Sequence, residues 1–201
     1  MDMEKTDELA ALREKLRSQR PVAWDQLPDF PLYMDQVLSY MDRQSIRVDV
    51  SDALTSAMVN NYIKDGMLPR AEGKRYSRTH LAYLTAICAL KQVLSVRDAS
   101  LLIQAGTEGK DAQTVYAHFC QALDAALTEA AGQLDLEVGA AQLPQLALAL
   151  ALRSYADRLA CERILDIMAA HLPQEPRAER SGRRSKKEAV KAEDKGDGAR
   201  G

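Results

Sequence analysis

Cationic side chains are concentrated between Pro69 and Arg78, in the sequence PRAEGKRYSR, where they stand against a single acid, Glu72. Lysine and arginine neutralise phosphate oxygens, and phosphate contacts supply much of the affinity and the register of a protein on nucleic acid. A basic loop can also simply keep a surface soluble. The candidates for phosphate contact are Arg70, Lys74, Arg75 and Arg78, with the hydroxyl of Tyr76.

Amide side chains stand a few residues before this loop, in the sequence SAMVNNYIK. An asparagine can bond adenine through a bidentate amide pair or can bond a phosphate, and the sequence leaves both alternatives open. Such residues are also ordinary on a solvated helix face. Their position directly before a basic loop favours contact with duplex DNA, and the candidates are Ser56, Asn60, Asn61 and Lys64.

Both groups must be positioned by helices, and the sequence carries local signals for them. Thr55 or Ser56 can cap a short helix, and Gly66 followed by Pro69 ends it. The sequence therefore predicts a helix over 56–65, with the basic loop directly after it.

Two more helices are predicted downstream of the loop. Ser77 can cap the first, whose apolar stripe is interrupted only by Lys91. Ser95 and Asp98 have capping-box spacing and start the second. The order of helix, glycine turn, basic loop and helix is that of a winged helix-turn-helix.

Several stretches resemble known families. VNNYIKDGMLP resembles the recognition helix of MerR-family regulators and the turn after it, GKRYS resembles their wing-to-helix junction, and LSVRDASLLI is similar to the last short helix before their dimerisation segment. Extended to LPDFPLYMDQVLSYM, the pattern is closer still to a bacterial family described only as domain of unknown function 1836. The resemblance implies a MerR-like DNA-binding head, with Arg75, in the RYS match, as the best single contact.

The chain also departs from the MerR pattern. Asn60 stands where those recognition helices often have an arginine, and Asn61 stands where they often have an aromatic residue, while Tyr62 keeps the second aromatic position. The base contacts would therefore differ. The long antiparallel coiled coil of that family is not evident after Ile103.

Composition bounds the remaining possibilities. The chain has 201 residues, 46% hydrophobic and 28% charged, with a net charge of −2, so it is no polycation that coats nucleic acid indiscriminately. Few aromatic residues and little Val/Ile alternation indicate a mainly α-helical protein. The three cysteines show no CxxC spacing, no signal peptide is evident, and the apolar run 143–152 is too short to span a bilayer. These features predict a cytoplasmic protein without a membrane segment.

The sequence predicts two further elements. Alternating Ile46, Val48 and Val50 could form a strand that pairs with the wing. A long helix from about Pro144 to His171 is expected to bury Leu148, Leu152, Tyr155, Leu159, Leu165 and Met168.

The chain as a whole is predicted to consist of four segments. These are an amphipathic helix with a Pro-rich linker (1–27), the winged helix-turn-helix (28–106), a helical hairpin (107–172) and a disordered basic tail (173–201).

Other chemistry has little support. His118 and Cys120 point to different sides of a helix and lack a second pair of ligands, so no metal site or cofactor is expected. No catalytic motif is present, and we expect no enzyme. The rings of Tyr62 and Tyr76 are more suited to packing than to phosphate contact. His80 is expected to be exposed.

The sequence thus predicts a MerR-like transcriptional regulator that binds double-stranded DNA as a homodimer, with helix 56–65 in a major groove and loop 69–78 on the backbone. It identifies no effector. The alternative is a non-catalytic adaptor that reuses the helix-turn-helix and the N-terminal helix to bind a protein partner.

Overall fold

The computed structural model describes residues 2–44 and 53–171, and within them the chain forms seven α-helices. The predicted mainly α-helical class is therefore confirmed. No helix in this part of the chain is long and apolar enough to cross a membrane. The helices are α1 (Asp2–Ser18), α2 (Met34–Gln44), α3 (Ser56–Lys64), α4 (Arg78–Leu90), α5 (Val96–Thr107), α6 (Ala112–Gly132) and α7 (Leu143–His171), with short 3-10 helices at Trp24–Gln26 and Ala140–Gln142.

Local signals set the helix ends, as the sequence predicted. The Thr55 side chain accepts the backbone N–H of Met58 at 3.2 Å, which caps α3. Ser95 accepts the backbone N–H of Asp98 at 3.2 Å, which caps α5. Gly66 follows α3 with φ of +75°, a left-handed conformation that glycine adopts without a steric penalty.

The core of the head lies where α2, α3 and α4 meet. α2 packs on both α3 and α4, and α4 is the central helix because it also packs on α6. Burial of apolar side chains between these three helices supplies the main stabilising free energy, about 1.5–3 kcal/mol for each side chain. The largest buried side chains of these three helices are Val37, Met41, Val59, Tyr62, Leu81, Leu84 and Ile87.

α6 connects the N-terminal segment to the head. It packs against α1 as well as α4, and Arg20 pairs with Asp124. The hydroxyl of Tyr116 donates a hydrogen bond to the backbone carbonyl of Val22 at 2.9 Å, and its ring lies 6.2 Å from that of Trp24. α1, α2 to α5 and α6 belong to one compact unit, which ends at Ile167.

The predicted wing has no β-strands in the described residues. Two isolated antiparallel bridges occur there, Leu32 with Tyr76 and Glu72 with Arg75. The basic loop is therefore a tight turn whose base pairs with the segment before α2. The predicted strand at Ile46–Val50 and the predicted disordered tail at 173–201 lie outside the described residues.

The prediction for the inner face of α7 was wrong at four positions. Leu148, Leu152, Tyr155 and Leu159 are 59%, 59%, 66% and 55% exposed, whereas Leu165 is buried at 3%. Apolar residues recur on more than one side of this helix, and the side that includes Leu165 is the one that packs on its own chain. Periodicity alone therefore selected a face that nothing in the described chain covers.

Candidate nucleic-acid interface

The outer side of α3 carries the predicted amide-bearing surface. Ser56, Asn60 and Lys64 follow one another at a spacing of four residues, so they form one row along the helix, and all three are exposed. Asn61 is also exposed beside this row. The inner side is buried through Val59 and Tyr62, which leaves the polar row facing solvent. The hydrogen-bonding groups needed for contact with a duplex are thus accessible.

The C-terminal end of α3 is held by contacts from two other helices. Gln104 of α5 donates from Nε2 to the backbone carbonyl of Asp65 at 3.5 Å. The ammonium group of Lys91, at the end of α4, lies 5.6 Å from the centroid of the Tyr62 ring. Burial raises the pKa of Tyr62, and Lys91 opposes that shift, so the ring stays neutral inside the core. These contacts fix the orientation of the exposed row.

Residues 72–75 of the basic loop form a hairpin with two residues at its tip. The backbone N–H of Arg75 donates to the carbonyl of Glu72 at 2.9 Å, and the two residues between them, Gly73 and Lys74, have φ of +56° and +64°. Positive φ at both central residues is the signature of a type I′ turn. The tip of the turn therefore projects Lys74 from a defined backbone conformation.

The base of the turn is anchored by paired backbone hydrogen bonds. Leu32 and Tyr76 exchange N–H to carbonyl bonds of 2.9 and 2.8 Å, and both side chains are buried. Tyr76 is 5% exposed and its ring packs edge-on against His80. The sequence offered the Tyr76 hydroxyl as a phosphate contact but favoured packing of the ring. The ring is in the core, as favoured, so Tyr76 does not belong to the candidate surface.

The four predicted cations have different environments. Arg70, Lys74 and Arg75 are exposed, whereas Arg78 is partly buried, with its guanidinium 5.8 Å from the centroid of the Trp24 ring. Arg78 therefore contributes mainly to packing. The candidate phosphate-binding surface, here called the basic turn, consists of Arg70, Lys74 and Arg75.

Tyr33 is a residue of the site that the sequence analysis missed. Its hydroxyl accepts a hydrogen bond from an Nη atom of Arg75 at 3.0 Å, and the guanidinium lies 5.2 Å from its ring centroid. Arginine has five N–H donors, so this contact orients Arg75 and leaves donors for a phosphate. The sequence did carry one signal for Tyr33. Successive side chains of an extended backbone point to opposite sides, so Tyr33 points outward when Leu32 points inward.

His80 links the base of the turn to α4. It is buried at 5% exposure, so the prediction of an exposed histidine was wrong. Its Nδ1 accepts the backbone N–H of Ser77 at 3.0 Å, in the capping-box arrangement, and this interaction draws the ring inward. Burial lowers the pKa of His80, although backbone groups of Arg70 and Pro69 oppose the shift. The neutral imidazole can therefore keep Nδ1 as an acceptor at neutral pH.

A cavity of about 410 Å³ lies elsewhere, between the C-terminal ends of α4 and α6, the middle of α5 and the middle of α7. Its wall is mainly apolar, including Leu90 and Leu150, and its rim carries Arg153. The Arg153 guanidinium pairs with Glu129 and with Asp157. None of the lining residues belongs to α3 or to the basic turn. Among the described residues, no group of three or more His, Cys, Asp or Glu side chains is placed to hold a metal ion.

Residues 22–119 match the model of a family described as Domain of unknown function (DUF1836). The match covers the linker, the head and the first part of α6, which supports the family resemblance seen in the sequence for this stretch. Comparison with curated proteins and with solved structures gives no match.

Proposed function

We propose that this protein is a DNA-binding transcriptional regulator of MerR-like type, acting in the cytoplasm as a homodimer. One observation carries the proposal: the exposed row of Ser56, Asn60 and Lys64 is followed directly by a turn that exposes Arg70, Lys74 and Arg75. The exposed amide and ammonium groups of α3 can contact bases or phosphates, and the exposed cations of the turn can contact the phosphate backbone of DNA. These two sets of groups lie on consecutive elements of the chain. This combination is what sequence-dependent binding of a duplex requires.

In this proposal α3 enters a major groove and the basic turn follows the adjacent phosphate backbone. Asn60 and Asn61 discriminate between bases through their amides, because the edge of adenine in the major groove offers a matching donor and acceptor. Lys74 and Arg75 neutralise phosphates and fix the register. Two copies would place their α3 helices in half-sites separated by about one DNA turn, ~34 Å.

A salt titration against random duplex DNA tests the proposal. Each neutralised phosphate contributes about −0.9 to the slope of log K against log salt concentration, so three cations predict a slope of about −3 per subunit. Binding measured by fluorescence anisotropy should therefore weaken steeply between low and moderate salt. Affinity that is absent, or that does not change with salt, would contradict DNA binding.

Variants then separate the two parts of the surface. Arg75→Ala should reduce the salt slope by about 1 and weaken binding on all sequences, whereas Asn60→Ala should change the preference among selected sequences. Lys110→Ala is the matched control, because Lys110 is an exposed cation in the loop between α5 and α6. The assignment fails if all three variants affect every sequence equally.

The alternative adaptor function has one specific observation in its favour. Phe30 and Tyr33 are 61% and 49% exposed, and Phe30 borders a concavity of about 330 Å³ on the outer side of α2. Exposed aromatic residues are enriched at protein interfaces. α1, which this function was also expected to use, already packs on α6. Phe30→Ala should leave DNA binding unchanged if the regulator proposal holds, and should abolish partner binding if the adaptor proposal holds.

A further inference from the structure

The cavity of about 410 Å³ lies between two walls that come from different parts of the chain. One wall is formed by the end of α4, by α5 and by α6, and the other wall is formed by α7. Large apolar side chains face the space from both walls, among them Leu90, Leu94, Leu102 and Leu150. We call this space the interhelical cavity.

Small side chains on α7 explain why the interhelical cavity is open. Residues at spacings of four, three, four and four lie along one side of this helix, and they are Leu150, Ser154, Asp157, Cys161 and Leu165. Leu165 is buried at 3% exposure, which identifies this side as the one that packs on its own chain. The centre of this side carries Ser154 and Cys161, where close packing would need larger apolar residues.

The facing helix α6 does not fill the space either. Ala126 and Ala130 line the cavity, and both side chains are small. Arg153 of α7 pairs with Glu129 of α6, which joins the two walls at the rim. Protein interiors normally pack as densely as organic crystals, whereas small-molecule sites are mainly apolar spaces of about this volume. The interhelical cavity therefore has the form of a ligand site.

The charged groups around the cavity favour an uncharged ligand. Arg153 pairs with both Glu129 and Asp157, and Arg158 pairs with Glu162. An anionic ligand would lie beside the carboxylates of Glu129 and Asp157, and a cationic ligand would lie beside the two guanidinium groups. A neutral ligand leaves all of these ion pairs intact.

Uncharged polar side chains also line the cavity, namely the hydroxyl of Ser154 and the amide of Gln133. Each can donate and accept a hydrogen bond, so each can orient one polar group of a ligand. The volume holds on the order of a dozen non-hydrogen atoms, at ~30 Å³ for each atom. We propose that the interhelical cavity binds a neutral, mainly apolar small molecule of this size with one hydrogen-bonding group, such as an aromatic alcohol.

A protein segment fits the cavity less well than a small molecule does. An α-helix with its side chains is about 10–12 Å in diameter, which is wider than a sphere of this volume, ~9 Å across. The 30 residues after His171 contain Leu172 and Val190 as their only large aliphatic side chains, so they offer little apolar surface. The volume and the balanced charges both match a small neutral molecule.

Binding of 2-naphthol, a neutral aromatic alcohol of this size, tests the proposal. Equilibrium dialysis against the full chain should show one saturable site, with a dissociation constant on the order of 10–100 µM. Ser154→Phe should weaken binding by about tenfold or more, because the ring takes the volume that the ligand needs. Leu152→Phe is the matched control, since it places the same ring on the exposed side of α7 and should leave binding unchanged.

Ala130→Phe fills the cavity from α6 and gives an independent check. It should weaken binding as Ser154→Phe does, although the two substitutions are on different helices. Circular dichroism on each variant confirms that the helices are retained. A wild-type chain without a saturable site overturns the proposal. Equal affinity of the wild type and both filled variants also overturns it, and so does an equal loss in Leu152→Phe.

Alkylation of Cys161 locates the bound probe. Cys161 lines the cavity, whereas Cys88 and Cys120 do not, and all three thiols are partly buried without a disulfide. Saturating 2-naphthol should slow the reaction of N-ethylmaleimide with Cys161 by about threefold or more, because access to the thiol is blocked. The rates at the other two cysteines, measured by mass spectrometry of peptides, should not change. An unchanged rate at Cys161 would place the probe elsewhere and overturn the site.

The ligand site and the proposed function fail separately, because the cavity shares no residue with α3 or the basic turn. A wild-type chain that protects Cys161 with 2-naphthol yet ignores duplex DNA would remove the proposed function and leave the ligand site in place. A chain that binds DNA but has no site for 2-naphthol would do the reverse.

Discussion

α3 and α7 expose opposite chemistry, because α3 has one apolar side whereas α7 carries apolar residues on more than one side. α3 buries Val59 and Tyr62 and turns its amides to solvent, whereas α7 turns Leu152 and its neighbours outward. The difference lies in what surrounds each helix. α2 covers the apolar side of α3, but no element among residues 2–44 and 53–171 covers Leu148, Leu152, Tyr155 and Leu159 of α7. Apolar spacing thus indicates which helix faces can be buried, and the fold decides which of them are.

Leucine truncation in the two regions should give the largest contrast. Leu84→Ala removes a fully buried side chain from α4 and should lower the free energy of unfolding by about 3 kcal/mol. Leu152→Ala should lower it by less than about 0.5 kcal/mol, because Leu152 is 59% exposed. Chemical denaturation followed by Trp24 fluorescence measures both. Equal losses would mean that Leu152 is buried within the chain.

Removal of a tyrosine hydroxyl gives a smaller contrast. Tyr116→Phe deletes the hydrogen bond to the Val22 carbonyl and should cost about 1 kcal/mol of stability. Tyr155→Phe is the matched control, since this side chain is 66% exposed and the change should be neutral. Thermal unfolding of both variants provides the measurement. A neutral Tyr116→Phe would show that the linker is not held through this bond.

Lys74→Asn should change stability and DNA binding in opposite directions. Lys74 has φ of +64°, a conformation that asparagine tolerates better than lysine, so stability should rise by about 0.5 kcal/mol. The salt slope for DNA should fall by about 1, because one cation is lost. Denaturation and anisotropy titrations on the same preparation measure the two effects. Loss of stability would contradict the type I′ turn.

The smallest expected effect is the contribution of His80 to the pH dependence of the free energy of unfolding. Burial lowers its pKa in the folded state, so the unfolded chain binds the proton more readily. The contribution of neutral His80 is therefore fully present above pH ~6.5, the ordinary histidine pKa, and is lost as pH falls through the lower folded-state pKa. His80→Gln keeps an acceptor for the Ser77 N–H and should flatten this dependence. Melting temperatures between pH 5 and 8 test it, and identical profiles would exclude a role for His80.

The local part of the site was predictable from sequence. α3, the turn after it and the exposure of Asn60 and Lys64 agree with the predicted pattern. The packing of the Tyr62 and Tyr76 rings also agrees with the prediction. The contacts of Arg78 and Tyr33 were not predicted, because they depend on Trp24 and Arg75, which approach from other parts of the chain. Side-chain contacts across such separations leave no regular spacing in the sequence.

The sequence by itself determined the helices and their ends, because a cap such as Thr55 or a glycine such as Gly66 acts on backbone groups within one helical turn. It also determined that positive charge is concentrated in the turn, whereas the whole chain has a net charge of −2. Only the tertiary structure decided which apolar faces are covered, that His80 is buried, and that Leu148, Leu152, Tyr155 and Leu159 are exposed. Burial is a property of neighbours brought together by the fold, and no short-range pattern records which neighbours those are.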